Sequence, residues 1–145
     1  MAAFVKFQAF VEALCKKKHD FTPTTGDDFY VQLMNSAPDA ANDAVETDLP
    51  ADLSTAGGYT AGGVTCGKAV SCAQTGGTLK LCIADKVITA TAAGIGPFQY
   101  VVLFNNSAAN KDLIGYYNYG APVTLIDTET FTIDFDDTNG VLTIA

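Results

Sequence analysis

The strongest constraint on this chain is a change of period. From Val64 onward the residues fall into short apolar runs: Val64 to Ala69, Thr78 to Ala84, Val87 to Thr91, Phe98 to Asn105, Leu113 to Tyr119, Val123 to Ile126, Thr130 to Asp136 and Val141 to Ile144. Gly, Pro, Asn and Asp punctuate the gaps. Closely spaced strands with such turns predict an antiparallel sandwich or barrel. Phe98 to Phe104 is apolar on both faces. This predicts a central strand, covered by the other sheet on one side and by an N-terminal helix on the other. Phe131, Ile133 and Phe135 alternate up to Asp137-Thr138-Asn139-Gly140, where Asn-Gly supplies the positive φ of a tight turn and predicts a final hairpin.

Upstream the pattern differs. Phe4, Phe7, Phe10, Val11 and Leu14 recur at helical spacing, predicting one helix over 3–17, with Lys16, Lys17 and Lys18 in its last turn facing the negative end of the helix dipole. Residues 28–34 alternate, with Phe29, Val31 and Leu33 on one face and Tyr30, Gln32 and Met34 on the other, as a half-buried strand requires. Residues 35–63 have no sustained period and are rich in Ala, Asp, Pro and Gly. They predict a long acidic loop with at most one short helical turn, and a loop of that length is a candidate contact surface. The expectation is one mainly β domain over 1–145: helix 3–17, strand 28–34, loop 35–63 and a β-rich body 64–145.

Charge narrows the function. Sixteen acids oppose eight bases, every base is lysine, and the net charge is −8. Eight of the acids lie between Asp20 and Gly67, where no lysine occurs. Nucleic-acid recognition leans on positive charge and the bidentate guanidinium, so direct binding of DNA or RNA is disfavoured by sign and by residue type. With 48% hydrophobic and 17% charged residues, disorder is not expected. The apolar runs fall short of the ~18 residues of a membrane helix, so neither a span nor a signal peptide is expected.

No motif makes a persuasive catalytic centre. Cys15, Cys66, Cys72 and Cys82 lack zinc-ribbon spacing, and His19 is the only imidazole. The cysteines read as small buried apolar residues, with a Cys66–Cys72 or Cys72–Cys82 bridge as the competing reading. Cys15 and His19 lie one helical turn apart, as a thiolate and base would, but the helix end explains His19 as well. Asp134 to Gly140 superficially matches a calcium loop, yet position six is Asn139 where glycine is required. Gly94-Ile95-Gly96-Pro97 lacks the third glycine of a dinucleotide fingerprint. Asn105-Asn106-Ser107 matches a glycosylation acceptor by composition only. No catalytic, cofactor or metal residue is assigned. Tyr116, Tyr117 and Tyr119 share one strand, Tyr117 and Tyr119 on one face and Tyr116 on the other. Core packing competes there with an aromatic contact patch, because tyrosine is enriched in interface cores.

The segments Lys16-Lys-Lys-His-Asp-Phe21, Asp28-Phe-Tyr-Val-Gln-Leu-Met-Asn-Ser-Ala37, Gly57-Gly-Tyr-Thr-Ala-Gly-Gly63, Tyr100-Val-Val-Leu-Phe-Asn105, Leu113-Ile-Gly-Tyr-Tyr-Asn-Tyr-Gly120 and Glu129-Thr-Phe-Thr-Ile-Asp-Phe135 with Gly140-Val-Leu-Thr-Ile144 follow one another in an order that resembles small head-associated structural proteins of tailed bacteriophages. The resemblance spans nearly the whole chain, from which the four cysteines and the acidic loop depart. It implies a non-enzymatic virion component made in the host cytoplasm, a capsid cement (decoration) protein on the outer surface of the head. Its implied partners are the major capsid protein and further copies of itself, as a homotrimer. A tail, neck or fibre-linked module and a host-surface glycan binder are the alternatives. Candidate assembly contacts are Phe4 and Phe7 in the N-terminal segment, Asp39, Asp43, Asp48 and Tyr59 in the loop, and Tyr116, Tyr117 and Tyr119.

Overall fold

The structure is a computed structural model that describes residues 2–136 and 138–145. Its elements are β1 (Phe4–Lys6), α1 (Ala9–Cys15), β2 (Phe29–Met34), a 3-10 turn (Glu46–Asp48), β3 (Val64–Gly67), β4 (Ala69–Thr75), β5 (Thr78–Ile83), β6 (Lys86–Thr89), β7 (Ile95–Asn105), β8 (Leu113–Leu125), β9 (Thr130–Ile133) and β10 (Leu142–Ile144). The chain is mainly β, with antiparallel sheets and one short helix in a sandwich-like arrangement. A five-stranded sheet has the order β1-β8-β7-β2-β3, a three-stranded sheet β10-β5-β4, and β6 pairs with β9. β3 and β4 form nearly one run, interrupted at Lys68. That run carries the chain from the larger sheet to the smaller one.

The principal apolar cluster takes Phe29, Val31 and Leu33 from β2, Val101 and Leu103 from β7, and Leu81 and Ile83 from β5. β7 is the middle strand of the larger sheet, as its doubly apolar sequence predicts. Its second face is covered differently from expectation. Val102 and Phe104 pack with Phe7, Met34 and Leu113, and Leu49 of the 35–63 loop packs against them. The helix instead sends Phe10 into the principal cluster. β2 is consequently covered on both faces and is not half-buried. Gln32, buried beneath the loop, donates from Nε2 to Glu46 Oε1 at 2.7 Å.

The N-terminal helix is shorter than 3–17. Residues 4–6 form an edge strand, with Phe4 opposite Tyr117, Val5 opposite Tyr116 and Lys6 opposite Gly115. The missing side chain of Gly115 explains the preference. A Cβ there would lie 2.4 Å from Phe4 Cζ, so only glycine lets that ring settle against β8. The remaining two turns of helix are too short to stand alone and are stabilised by the burial of Phe10 and Ala13. The helix ends at Cys15, so the three lysines lie beyond its last turn. Lys18 N–H donates to Ala13 O at 2.9 Å and Lys17 N–H to Leu14 O at 3.1 Å, with Lys17 at φ 58°. This is a Schellman ending with lysine in the left-handed position that glycine usually takes.

Three strand expectations change. Leu113–Tyr119 and Val123–Ile126 merge into the 13-residue β8, because β7 starts early enough for Ile95 to pair with Leu125. β4 falls in a stretch read as connection. It is joined to β5 through Gly76 and Gly77, at φ 60° and 87°, the positive pair a two-residue hairpin turn requires. The final hairpin does not form: β9 pairs with β6, and β10 with β5. A turn does follow Asp136, whose carbonyl accepts from Gly140 N–H, but it carries the chain between sheets so that Phe135 and Val141 both enter the core. Asp137, named in that turn from sequence, lies outside the described residues.

Candidate functional site

The loop over 35–63 is held in place by its own polar groups. Asp39 Oδ1 accepts from Ala41 N–H at 2.9 Å, and its Oδ2 from Asn42 Nδ2 at 2.7 Å. The Asn42 side-chain bond, then the Ala41 backbone bond, hold the Asp39 carboxyl below its ordinary value. Asp43 Oδ2 accepts from Asp39 N–H at 2.7 Å, and Asp48 Oδ2 from Ala44 N–H at 3.0 Å and Val45 N–H at 3.1 Å. The Tyr59 hydroxyl is the deepest pin. It donates to Asp52 Oδ1 at 2.5 Å and accepts from Leu33 N–H at 3.1 Å. Asp52 Oδ2 accepts from Gly62 N–H at 2.6 Å. Backbone bonds from Leu53 N–H to Leu33 O, from Leu113 N–H to Ala44 O and from Glu46 N–H to Lys111 O fasten the loop to the large sheet. Carboxylates that accept backbone N–H groups make local turns. The acidic composition therefore both charges this segment and orders it.

The candidate contact residues divide by burial. Asp39 and Asp48 are exposed, and Phe4, Tyr116 and Tyr119 are half-buried. Phe7, Asp43, Tyr59 and Tyr117 are buried and offer no contact surface, which corrects the sequence reading for these four. Each is consumed internally. Phe7 lies 5.4 Å from the Tyr116 ring on one face of β8, and Tyr117 lies 5.0 Å from Phe4 and 6.1 Å from Phe135 on the other. Tyr119 stands on the Tyr117 face, edge-on to Phe131 at 5.0 Å. Burial pushes the Tyr119 hydroxyl up to about 12, and Asp134 adds to the shift. The Tyr116 hydroxyl is raised by burial first, then by Tyr100 and by Asp39 of the acidic loop.

The side chains that could bear catalysis do not converge on one site. Cys15 is exposed, whereas His19 is turned inward against Phe10 and Phe21, at ring distances of 5.2 and 5.5 Å. Its Nδ1 lies 3.3 Å from Asn105 Nδ2, and burial lowers its pKa against the opposing pull of Asp112 and Asp27. Asn105 is itself fully buried. It donates to Asp27 Oδ2 at 2.6 Å and Lys18 O at 2.9 Å, and accepts from Ser107 and Ala108 N–H, so the glycosylation-like triplet is a structural turn. Sequence reading missed this hub. The only signal was Asn-x-Ser beginning at the last residue of a strand, which equally marks a side-chain-capped turn. Cys15, Cys66 and Cys72 carry free thiols, so neither bridge involving Cys72 is present. Burial raises the Cys66 thiol to about 12, outweighing the opposing effect of Lys86. Among the described residues no group of three or more His, Cys, Asp or Glu side chains is placed to hold a metal ion.

A groove of about 740 Å³ lies between the segment after α1 and the β4–β5 hairpin and is lined by Leu14, Lys17, His19, Phe21, Cys72 and Leu79, among others. His19 Nε2 is buried and has no hydrogen-bond partner among the described residues. No helix among the described residues is long and apolar enough to cross a membrane.

The fold and surface define a sandwich-like β protein whose larger sheet carries an ordered acidic layer. No protein family, no curated protein and no solved structure matches the chain.

Proposed function

We propose that this chain is a non-enzymatic virion structural protein, a capsid cement protein that binds the outer surface of a tailed-phage head and assembles as a homotrimer. The observation that carries the reading is the acidic layer. Residues 35–63 are irregular, yet they are tied to the sheet and to themselves through Asp39, Asp43, Asp48, Asp52 and Tyr59. A surface already ordered before contact loses little conformational entropy on docking, and repetition around a symmetric shell multiplies a modest affinity. The order of sequence segments that resembles head-associated phage proteins supports the same role. The −8 charge favours an outer position over one facing packaged DNA.

The test is to mix the purified protein with empty phage shells and image the particles. Many copies on the outer surface are expected. Attachment only to the inner wall, or no attachment, overturns the proposal. A tail or neck module is the second reading, and a few dozen copies or fewer per particle would favour it. A glycan platform is weakened by the burial of Tyr117 and the half-burial of Tyr116 and Tyr119.

A further inference from the structure

We propose that β4 is a self-association edge, along which two copies of this chain pair antiparallel. Sheet edges expose unpaired backbone donors and acceptors, and proteins commonly blunt them with short strands, charge, proline or a cover. The other edges follow that rule. β1 has three residues and ends in Lys6, β10 has three, β3 has four, and β6 has four and starts with Lys86. β9 has four and lies between Glu129 and Asp134, and the part of β8 beyond β1 contains Pro122. β4 departs in length, charge and proline content, and its one irregularity lies at its start, between Ala69 and Ser71. It has seven residues, Ala-Val-Ser-Cys-Ala-Gln-Thr, without charge or proline. It pairs only with β5, and no backbone hydrogen bond reaches its other side among the described residues. Val70 is 60% exposed, and Ala73 to Thr75 are exposed.

The occupant follows from charge and register. Two copies at −8 repel over most of their surfaces, and an uncharged strand is where they can approach. After the irregularity between Ala69 and Ser71, the strand is regular. Pairing Ser71–Thr75 with its own copy sets Ser71 against Thr75, Cys72 against Gln74, and Ala73 against Ala73 on a two-fold axis. No like charges oppose, and small side chains meet at the centre. The result is a continuous six-stranded sheet, β10-β5-β4 followed by its symmetry copy. Such a contact is isologous and closes as a pair. Between trimers it would double their number of chains.

Ala73→Glu tests it. Within one chain residue 73 lies opposite Lys80, so the new carboxylate meets a cation there, while across the two-fold axis it meets its own copy. Sedimentation equilibrium of the wild type is expected to show a two-fold step, from 15.2 kDa chains to their pairs or from trimers to hexamers. The substitution should weaken that step by about tenfold or more while circular dichroism and melting temperature hold. Hydrogen exchange of residues 69–75 should slow with rising concentration in the wild type only. A wild type with no two-fold step, a step indifferent to Ala73→Glu, or concentration-dependent protection confined to other strands would each overturn the pairing. The pairing does not rest on the capsid reading: shell binding is scored separately, and its absence with the pairing intact would remove only the earlier proposal.

Discussion

Replacing Tyr59 with phenylalanine removes one oxygen and leaves the ring in a site only 1% exposed. Two bonds end on that oxygen, one donated to the Asp52 carboxylate and one accepted from Leu33 N–H in β2. Asp52 keeps its bond from Gly62, so its loss is partial. Leu33 N–H is left buried without that acceptor, which costs about 1–3 kcal/mol, and the weakened bond to a charged group adds to it. The expected destabilisation is about 2–3 kcal/mol, a fall in melting temperature of roughly 6–10 °C for a domain of this length. Urea unfolding followed by circular dichroism should show a lower midpoint with an unchanged slope. Amide exchange should accelerate first over residues 49–63. A loss below about 0.5 kcal/mol, with exchange in the loop unaltered, would refute the claim that this hydroxyl holds the acidic layer down.

Three further outcomes follow from local geometry. Gly57→Ala would place a Cβ 1.9 Å from the Gly94 carbonyl at a φ of 56°, so it should destabilise by about 3 kcal/mol or more, read by the same urea titration. Lys17→Gly relieves a left-handed lysine in the Schellman ending and should raise stability by up to about 1 kcal/mol; a loss would show that the lysine side chain contributes more than its backbone costs. His19 has a pKa lowered by burial, so the native state resists its protonation. The stability it contributes is complete above the unfolded value of about 6.5 and is lost as pH falls through the lower folded value. Melting temperature should decline from pH 7.5 to 5.5, and His19→Gln should flatten that decline.

The β-rich body was legible because β7 is apolar on both faces and turn residues bracket most of the strands. Phe4 shows where local pattern fails. Its spacing to Phe7 and Phe10 fits a helix, but the decisive partner is Gly115, more than a hundred positions away, and no window of residues contains both. The final hairpin failed for the same reason. Asn139-Gly140 does mark a turn, but a turn does not specify which strand receives the returning chain. Gly76-Gly77 was a readable signal for β4, obscured because Ala, Ser and Gln dilute the apolar pattern of that strand. Of the contact candidates, composition separated neither Asp39 from Asp43 nor Tyr119 from Tyr117. Exposure at those positions depends on which backbone N–H or which ring lies alongside.

One face of the larger sheet is roofed by irregular backbone, with Phe7, Met34, Val102, Phe104 and Leu113 beneath it. A protease nick within 35–63 would therefore do more than loosen a surface segment: it would free a lid from a greasy floor. Samples clipped there should turn sticky and precipitate while the strands underneath are still intact, so handling losses of this protein are expected to trace back to that lid before any general melting.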